Sequence, residues 1–198
     1  HKHTRNDIRK AEKSNLAIKR IETKRELQEF YNLYLKEMKR FGTPPHSFSF
    51  FKNCQKMRGG NFIGLNCYKE ERLIGSIILF LEEAYAYAAF NISEPKFRDL
   101  KPNDILYWKA IKLCLEKKIK NLDMGEVDLN PDDERAKNLL KFKQKWLGKV
   151  YKKIYFTLNF SLNQEKKDSL KKYRKIWRKI PLPIIRIIGP KICSQIGI

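Results

Sequence analysis

Little in this chain suits nucleophilic or metal chemistry. Of its three histidines, His1 and His3 stand at the very start, and only His46 lies within patterned sequence. A Ser-His-Asp or Cys-His system would therefore rest on one imidazole beside Pro45, where a structural role in a turn is expected. There is no H-x-x-x-H, no Walker loop and no G-x-G-x-x-G. Arg58-Gly59-Gly60 is too short for a phosphate loop and precedes a strand-like pattern rather than a helix. The four cysteines (Cys54, Cys67, Cys114, Cys193) form no C-x-x-C, which argues against structural zinc and for reduced thiols. No apolar run approaches the roughly 20 residues of a membrane-spanning helix. No apolar stretch follows the first residues, so no signal peptide is visible. The missing initiator Met leads us to expect that the chain begins inside a larger protein.

Acidic residues are the other shortage. Against 43 Lys+Arg stand 22 Asp+Glu, a formal charge of +21. A field of that size draws polyanions such as tRNA, nucleotide-sugar pyrophosphates or lipid phosphates. A lysine-rich proteome would also produce it, because Lys dominates faces with no evident role.

The hydrophobic pattern is informative. Thr4 to Arg20 reads as a basic helix with Ile8, Ala11 and Leu16 inward. From Thr23, Leu27, Phe30, Tyr31, Tyr34 and Met38 form an amphipathic helical stripe that Gly42-Thr43-Pro44-Pro45 ends. A short aromatic helix is predicted from Ser47 to Lys56. The period then changes: Phe62–Tyr68, Leu73–Phe80 and Ala84–Phe90 read as three strands joined by tight polar turns, an antiparallel meander. A helix follows to about Lys118, with Asn103 as its expected cap and Tyr107, Ile111, Cys114 and Leu115 inward. Ile119–Gly125 looks like a strand returning to the sheet. Asn130-Pro131-Asp132-Asp133-Glu134 starts another helix, running to Trp146 with Gly148 as its terminator. Val150–Leu158 is expected as a last strand. The order gives an α/β (α+β) fold with a mixed sheet, an antiparallel meander and flanking helices.

Two segments bear on function. Lys137, Lys141 and Lys145 recur at helical spacing and read as a solvated face. Lys143 instead emerges at the apolar stripe, four residues after Leu139 and three before Trp146. There it either presents its ammonium to charge developing in a cleft or snorkels to water. Beyond Leu162, Leu170, Tyr173, Trp177 and Ile180 share one face among lysines. This suggests either an interfacial membrane segment or a helix docked on the domain or on the rest of the protein.

Several blocks together carry a resemblance. These are Thr4–Lys13, Arg40-Phe41-Gly42 with Ser47/Ser49-Phe50-Phe51, and Leu100–Ile111. Leu122-Asp123-Met124-Gly125 with Phe142-Lys143 and Trp146-Leu147-Gly148 follows, and then the tail from Trp177 to Pro190. Their order resembles the second GNAT (acyltransferase) domain of FemAB-like transferases, the tail being similar to that of a branch linked to exopolysaccharide export. The resemblance implies a GNAT-like domain over residues 1–160 and a basic amphipathic tail over 161–198. It implies transfer of an acyl or aminoacyl group to an amine on a cell-envelope precursor, in the cytoplasm near the inner membrane face. No bound cofactor is implied; the donor would be aminoacyl-tRNA or acyl-CoA. Lys143 would stabilise the tetrahedral oxyanion, worth about 3 kcal/mol, with Phe142 positioning it. Arg40 would hold a substrate phosphate, and Tyr87, Asn103 and Tyr107 would line the cleft. The partners implied are a phosphate-bearing precursor, tRNA, the membrane through the tail, and an N-terminal GNAT domain absent from this chain. The acetyl-CoA pyrophosphate loop of ordinary GNAT enzymes is missing between the third strand and its helix; Lys101-Pro102-Asn103-Asp104 stands there. The alternative is a catalytically silent module that binds RNA or anionic lipid through its charge.

Overall fold

The computed structural model describes residues 2–56, 60–131, 133–152 and 173–195. Helix α1 (Lys2–Lys13) ends earlier than its pattern suggests, because Asn15 takes a left-handed conformation with φ 50° and turns the chain. Residues Leu16–Arg20 then form strand β1, paired antiparallel with β2, rather than the last turns of a helix. Leu16 thus packs from a strand.

Helix α2 (Lys24–Phe41) begins in a capping box: Thr23 accepts from the Glu26 amide, and Glu26 reaches back to the Thr23 amide at 2.8 Å. It ends at Gly42, as its sequence predicts. Helix α3 (Phe48–Gln55) is capped by Ser47. The meander follows as β2 (Phe62–Lys69), β3 (Arg72–Glu82) and β4 (Tyr85–Ser93). A 3₁₀ turn leads into α4 (Pro102–Glu116), and β5 (Asn121–Asp123) returns parallel to β4. The sheet order is β1-β2-β3-β4-β5.

Helix α5 runs Glu134–Gln144, shorter than expected at both ends. Asp133, not Asn130, caps it by accepting from the Ala136 amide at 2.8 Å. The left-handed residue after it is Leu147 (φ 58°) rather than Gly148. Residues 150–152 carry no strand, and the rest of the expected last strand lies outside the described residues. A helical stretch over residues 173–177 precedes the last helix, α6 (Leu182–Gln195).

Two-residue periodicity sends alternate strand side chains to opposite faces. Ile63, Leu65, Cys67, Ile77 and Leu79 pack under α1 and α4. Phe62, Ile78 and Ile92 join Phe30, Tyr31, Tyr34 and Phe51 of α2 and α3. That second core also takes in Trp177, Ile185 and, at its margin, Ile180. The described part of the tail is therefore docked on the domain, and Trp177 belongs to the core. His46 is a packing residue as expected: it stacks on Phe50 at 4.4 Å, and burial holds its pKa below the usual histidine range.

Candidate functional site

Strands β4 and β5 pair over only three positions, Tyr85↔Asn121, Ala86↔Leu122 and Tyr87↔Asp123. One step further along β4, Ala88 opposes Leu79 while Phe90 opposes Ile78, so Ala89 is an extra, bulged residue. Among the described residues no ladder continues beyond Tyr87 and Asp123, and the parallel pair opens at its carboxyl ends. Ligands in sheets of this kind settle where parallel strands part.

Alternation along β4 turns Ala86 and Ala88 inward and leaves Tyr85 and Tyr87 outward, 43% and 40% exposed. They line an open cleft of about 810 Å³ together with Cys54, Asn61, Phe80 and the Asp123–Glu126 turn. Asp123 is fixed on both oxygens. The Tyr85 hydroxyl donates to Oδ2 at 2.6 Å and the Gly125 amide donates to Oδ1 at 2.6 Å. Gly125 holds φ 80°, the left-handed region that suits glycine. A smaller depression on α1, about 410 Å³, is lined by Asn6, Arg9, Lys10, Lys13 and Ser14 and brings no base or aromatic ring together.

Helix α5 contributes none of the residues that line this cleft but reaches its Glu126 end. Phe142 and Trp146 set their rings 5.5 and 5.8 Å from that of Tyr107, a buried residue of α4. This packing anchors one face of α5. The intervening Lys143 turns toward the cleft, where its Nζ donates to the Glu126 carbonyl at 2.8 Å. A side chain at Gly125 would begin 3.5 Å from that Nζ and 3.7 Å from the Tyr87 ring. Burial pushes the Lys143 pKa below the usual lysine range, against the opposing pull of Asp123 and Glu126. An ammonium has three donors, and one is engaged by Glu126, so others can meet a ligand oxygen.

Four of the six sequence-derived site residues thus come together: Tyr87, Tyr107, Phe142 and Lys143. Tyr107 is a wall rather than a contact surface, since it is 3% exposed and burial drives its phenol pKa up. Of the six only Tyr87 lines the cleft itself; Arg40 and Asn103 neither line it nor share the Tyr107–Phe142–Trp146 packing. Arg40 chelates the buried Glu37 at 3.0 and 2.5 Å and lies 4.6 Å from the Phe41 ring, over which Arg135 also sits, at 3.4 Å. Asn103 is not the cap of α4; Lys101 is, at φ 60°, without a side-chain bond. The Asn103 Oδ1 is buried and has no partner among the described residues.

Two functional groupings escaped sequence reasoning. Asp123 and Tyr85 were readable as the end of a strand and an aromatic strand position, but nothing local pairs them across 38 residues. Lys145 shared the spacing of solvated Lys137 and Lys141, yet it is an ion-pair hub. Its ammonium meets buried Asp104 and also Asp7, the latter at 3.0 Å, while its carbonyl accepts from the Thr4 hydroxyl at 2.7 Å. These bonds tie the end of α5 to α1 and α4, two residues beyond Lys143.

The sequence model of the Acetyltransferase (GNAT) domain family matches residues 1–138, and the chain belongs to that family. Similar solved structures include FemX, at 17% identity and TM-score 0.64, which covers 74% of this chain while this chain spans 53% of FemX. An aminoglycoside acetyltransferase from an uncultured soil metagenomic sample, in complex with sisomicin, matches at 16% identity and TM-score 0.55. It covers 73% of this chain and is itself 97% covered. AAC(6')-Iy with the bisubstrate analogue CoA-S-monomethyl-acetylneamine matches at 11% and 0.57, covering 74% and 99%. None of the curated proteins matches the chain.

GNAT acetyltransferases take acyl-CoA as donor. The start of α4 does not suit a diphosphate. Pro102 has no amide proton, and the Asp104 and Ile105 amides already donate to the Lys101 carbonyl. The Asp104 carboxylate is buried in the same turn and paired with Lys145, so it takes up a cation that could otherwise meet an anion there.

Proposed function

We propose that this chain is the second GNAT domain of a FemAB-like transferase, moving an acyl or aminoacyl group from an activated carbonyl to an amine. The carrying observation is the Lys143 ammonium held at the Glu126 carbonyl, in the same turn as the Asp123 carboxylate that Tyr85 fixes. The acceptor amine enters beside Tyr85 and Tyr87 and is oriented by the Asp123 carboxylate. Its nitrogen attacks the donor carbonyl, and negative charge gathers on the carbonyl oxygen, where Lys143 offers its free protons. The new C–N bond stays as the C–O or C–S bond to the carrier breaks. The nitrogen gives up one proton, for which Asp123 is the carboxylate at hand, and the leaving group takes one up. No covalent enzyme intermediate is needed.

The misfit of a diphosphate at α4 favours a donor other than acyl-CoA, and the sequence blocks that resemble FemAB-like transferases support aminoacyl-tRNA. The acceptor is a phosphate-bearing cell-envelope precursor. Arg135 and the Nη1 group of Arg40, whose Nε and Nη2 are held by Glu37, supply cationic donors for its phosphate, outside the cleft where the amine reacts. The test is a transfer assay on the longer parent protein. Donors are aminoacyl-tRNA and acetyl-CoA, the acceptor is a UDP-linked muropeptide precursor, and Lys143→Ala and Lys141→Ala are compared. Aminoacyl transfer lost in the first variant and kept in the second supports the proposal. Transfer from acetyl-CoA alone refutes the donor. Polyanion binding without transfer from either donor returns the chain to the silent-module alternative.

A further inference from the structure

Docking of the tail on the domain reverses which of its faces is available to a partner. Sequence spacing grouped Tyr173, Trp177 and Ile180 as one apolar stripe. In the structure Trp177 is 7% exposed and packs with α2, so of the two readings of this stripe the docked helix holds and the ring is spent on the core. Along α6, Ile185, Gly189 and Cys193 face the domain, with Ile188 and Ile192 at the margin of that core. The docking is close. A side chain at Gly189 would run into the Pro45 ring, and Arg186 donates to Asn32 of α2 at 2.9 Å.

The other side of α6 is apolar as well. Pro183, Ile184 and Ile187 are exposed, at spacings that share one helical face with Lys191 and Ser194. Ile187 is 66% and Ile184 46% exposed. An open apolar face on a docked helix marks an interaction surface. Its charge surroundings select the partner: residues 173–195 contain Arg174, Lys175, Arg178, Lys179, Arg186 and Lys191 and no acid.

We infer that the outer face of α6, led by Ile184 and Ile187 and flanked by these cations, seats the domain on an anionic lipid bilayer. Apolar side chains enter the boundary between headgroups and acyl chains while Lys and Arg remain at the phosphates, as in interfacial helices. The helix lies on the surface. It has 14 residues, and among the described residues no helix is long and apolar enough to cross a membrane. This inference rests on the packing of α6 and not on the transferase reading.

The experiment is co-sedimentation of the chain with vesicles of phosphatidylcholine, alone or mixed equally with phosphatidylglycerol. Two double variants are compared, Ile184→Glu/Ile187→Glu and Lys137→Ala/Lys141→Ala. Each lowers the formal charge of +21 by two, so net charge does not distinguish them. Matched thermal unfolding of both with the parent chain shows that α6 stays docked. Binding to the anionic vesicles that falls roughly tenfold or more in the isoleucine pair, and little in the lysine pair, supports the inference. Equal losses in both would reduce it to general electrostatics and overturn it. So would indifference to phosphatidylglycerol, or self-association of the chain that the isoleucine variants abolish. A failed transfer assay would leave this outcome untouched.

Discussion

On the α2 side of the sheet, Phe30, Tyr34, Phe51 and Phe90 meet ring to ring at 4.9–5.8 Å, and the first three are fully buried. On α5, by contrast, no residue is buried, and Lys143 and Lys145, two positions apart, hold opposite sides of the chemistry. Lys145 is consumed by Asp7 and Asp104; Lys143 keeps donors facing the cleft. The aromatic side holds the fold by area and shape. The α5 side holds one cation in place with a second one.

If that division is right, Phe51→Ala should have the largest effect on stability, about 4 kcal/mol, read by denaturant unfolding. It should leave the charge state of Lys143 unchanged. Lys145→Met should cost about 2 kcal/mol, less than a fully buried pair because Asp7 and Lys145 keep some exposure. Lys141→Met, on the exposed side of the same helix, should fall within about 0.5 kcal/mol of the parent. A third comparison is acid sensitivity. Burial pulls the Asp7 carboxyl up, but hydrogen bonds from Lys145 and Lys101 outweigh it and hold the pKa below the usual carboxylate range. A lowered folded pKa contributes stability above the ordinary value and loses it as pH falls through the folded one. Asp7→Asn should therefore be less stable near neutrality and flatter below the ordinary carboxylate range, as followed by unfolding at stepped pH. The smallest effect should come from Tyr85→Phe, which frees one Asp123 oxygen: roughly a threefold rise in acceptor KM with kcat little changed.

The two sides were unequally legible. The α2 stripe, its Thr23 start and Gly42 end, and the three meander strands follow from residue spacing and turn chemistry alone. The strand at Leu16 was missed because Ser14-Asn15 is a weak breaker and the preceding lysines continue a helical pattern. Lys143 stood out because it interrupts an apolar stripe. Lys145 did not, since its partners Asp7 and Asp104 lie 138 and 41 residues away and their convergence depends on how α1 and α4 cross the sheet. Trp177 stayed open for a similar reason: a Trp among lysines reads equally as lipid-seeking or core-seeking, and only the position of Pro45 and α2 decides for the core. Arg40 and Asn103 were named from the resemblance and stand outside the cleft lining, Arg40 because Glu37 and Phe41 hold its guanidinium.

The most direct test of the account is the pH dependence of single-turnover transfer in the parent protein, for wild type, Lys143→Arg and Lys143→Ala. Burial lowers the Lys143 pKa, so the wild-type rate should fall on the alkaline side before the usual lysine range, as the ammonium loses its proton. Lys143→Arg should keep much of the rate and lose that limb, and Lys143→Ala should be slower by about 100-fold or more throughout. Equal rates and superimposable profiles for all three proteins would contradict a role for this ammonium in the transfer step.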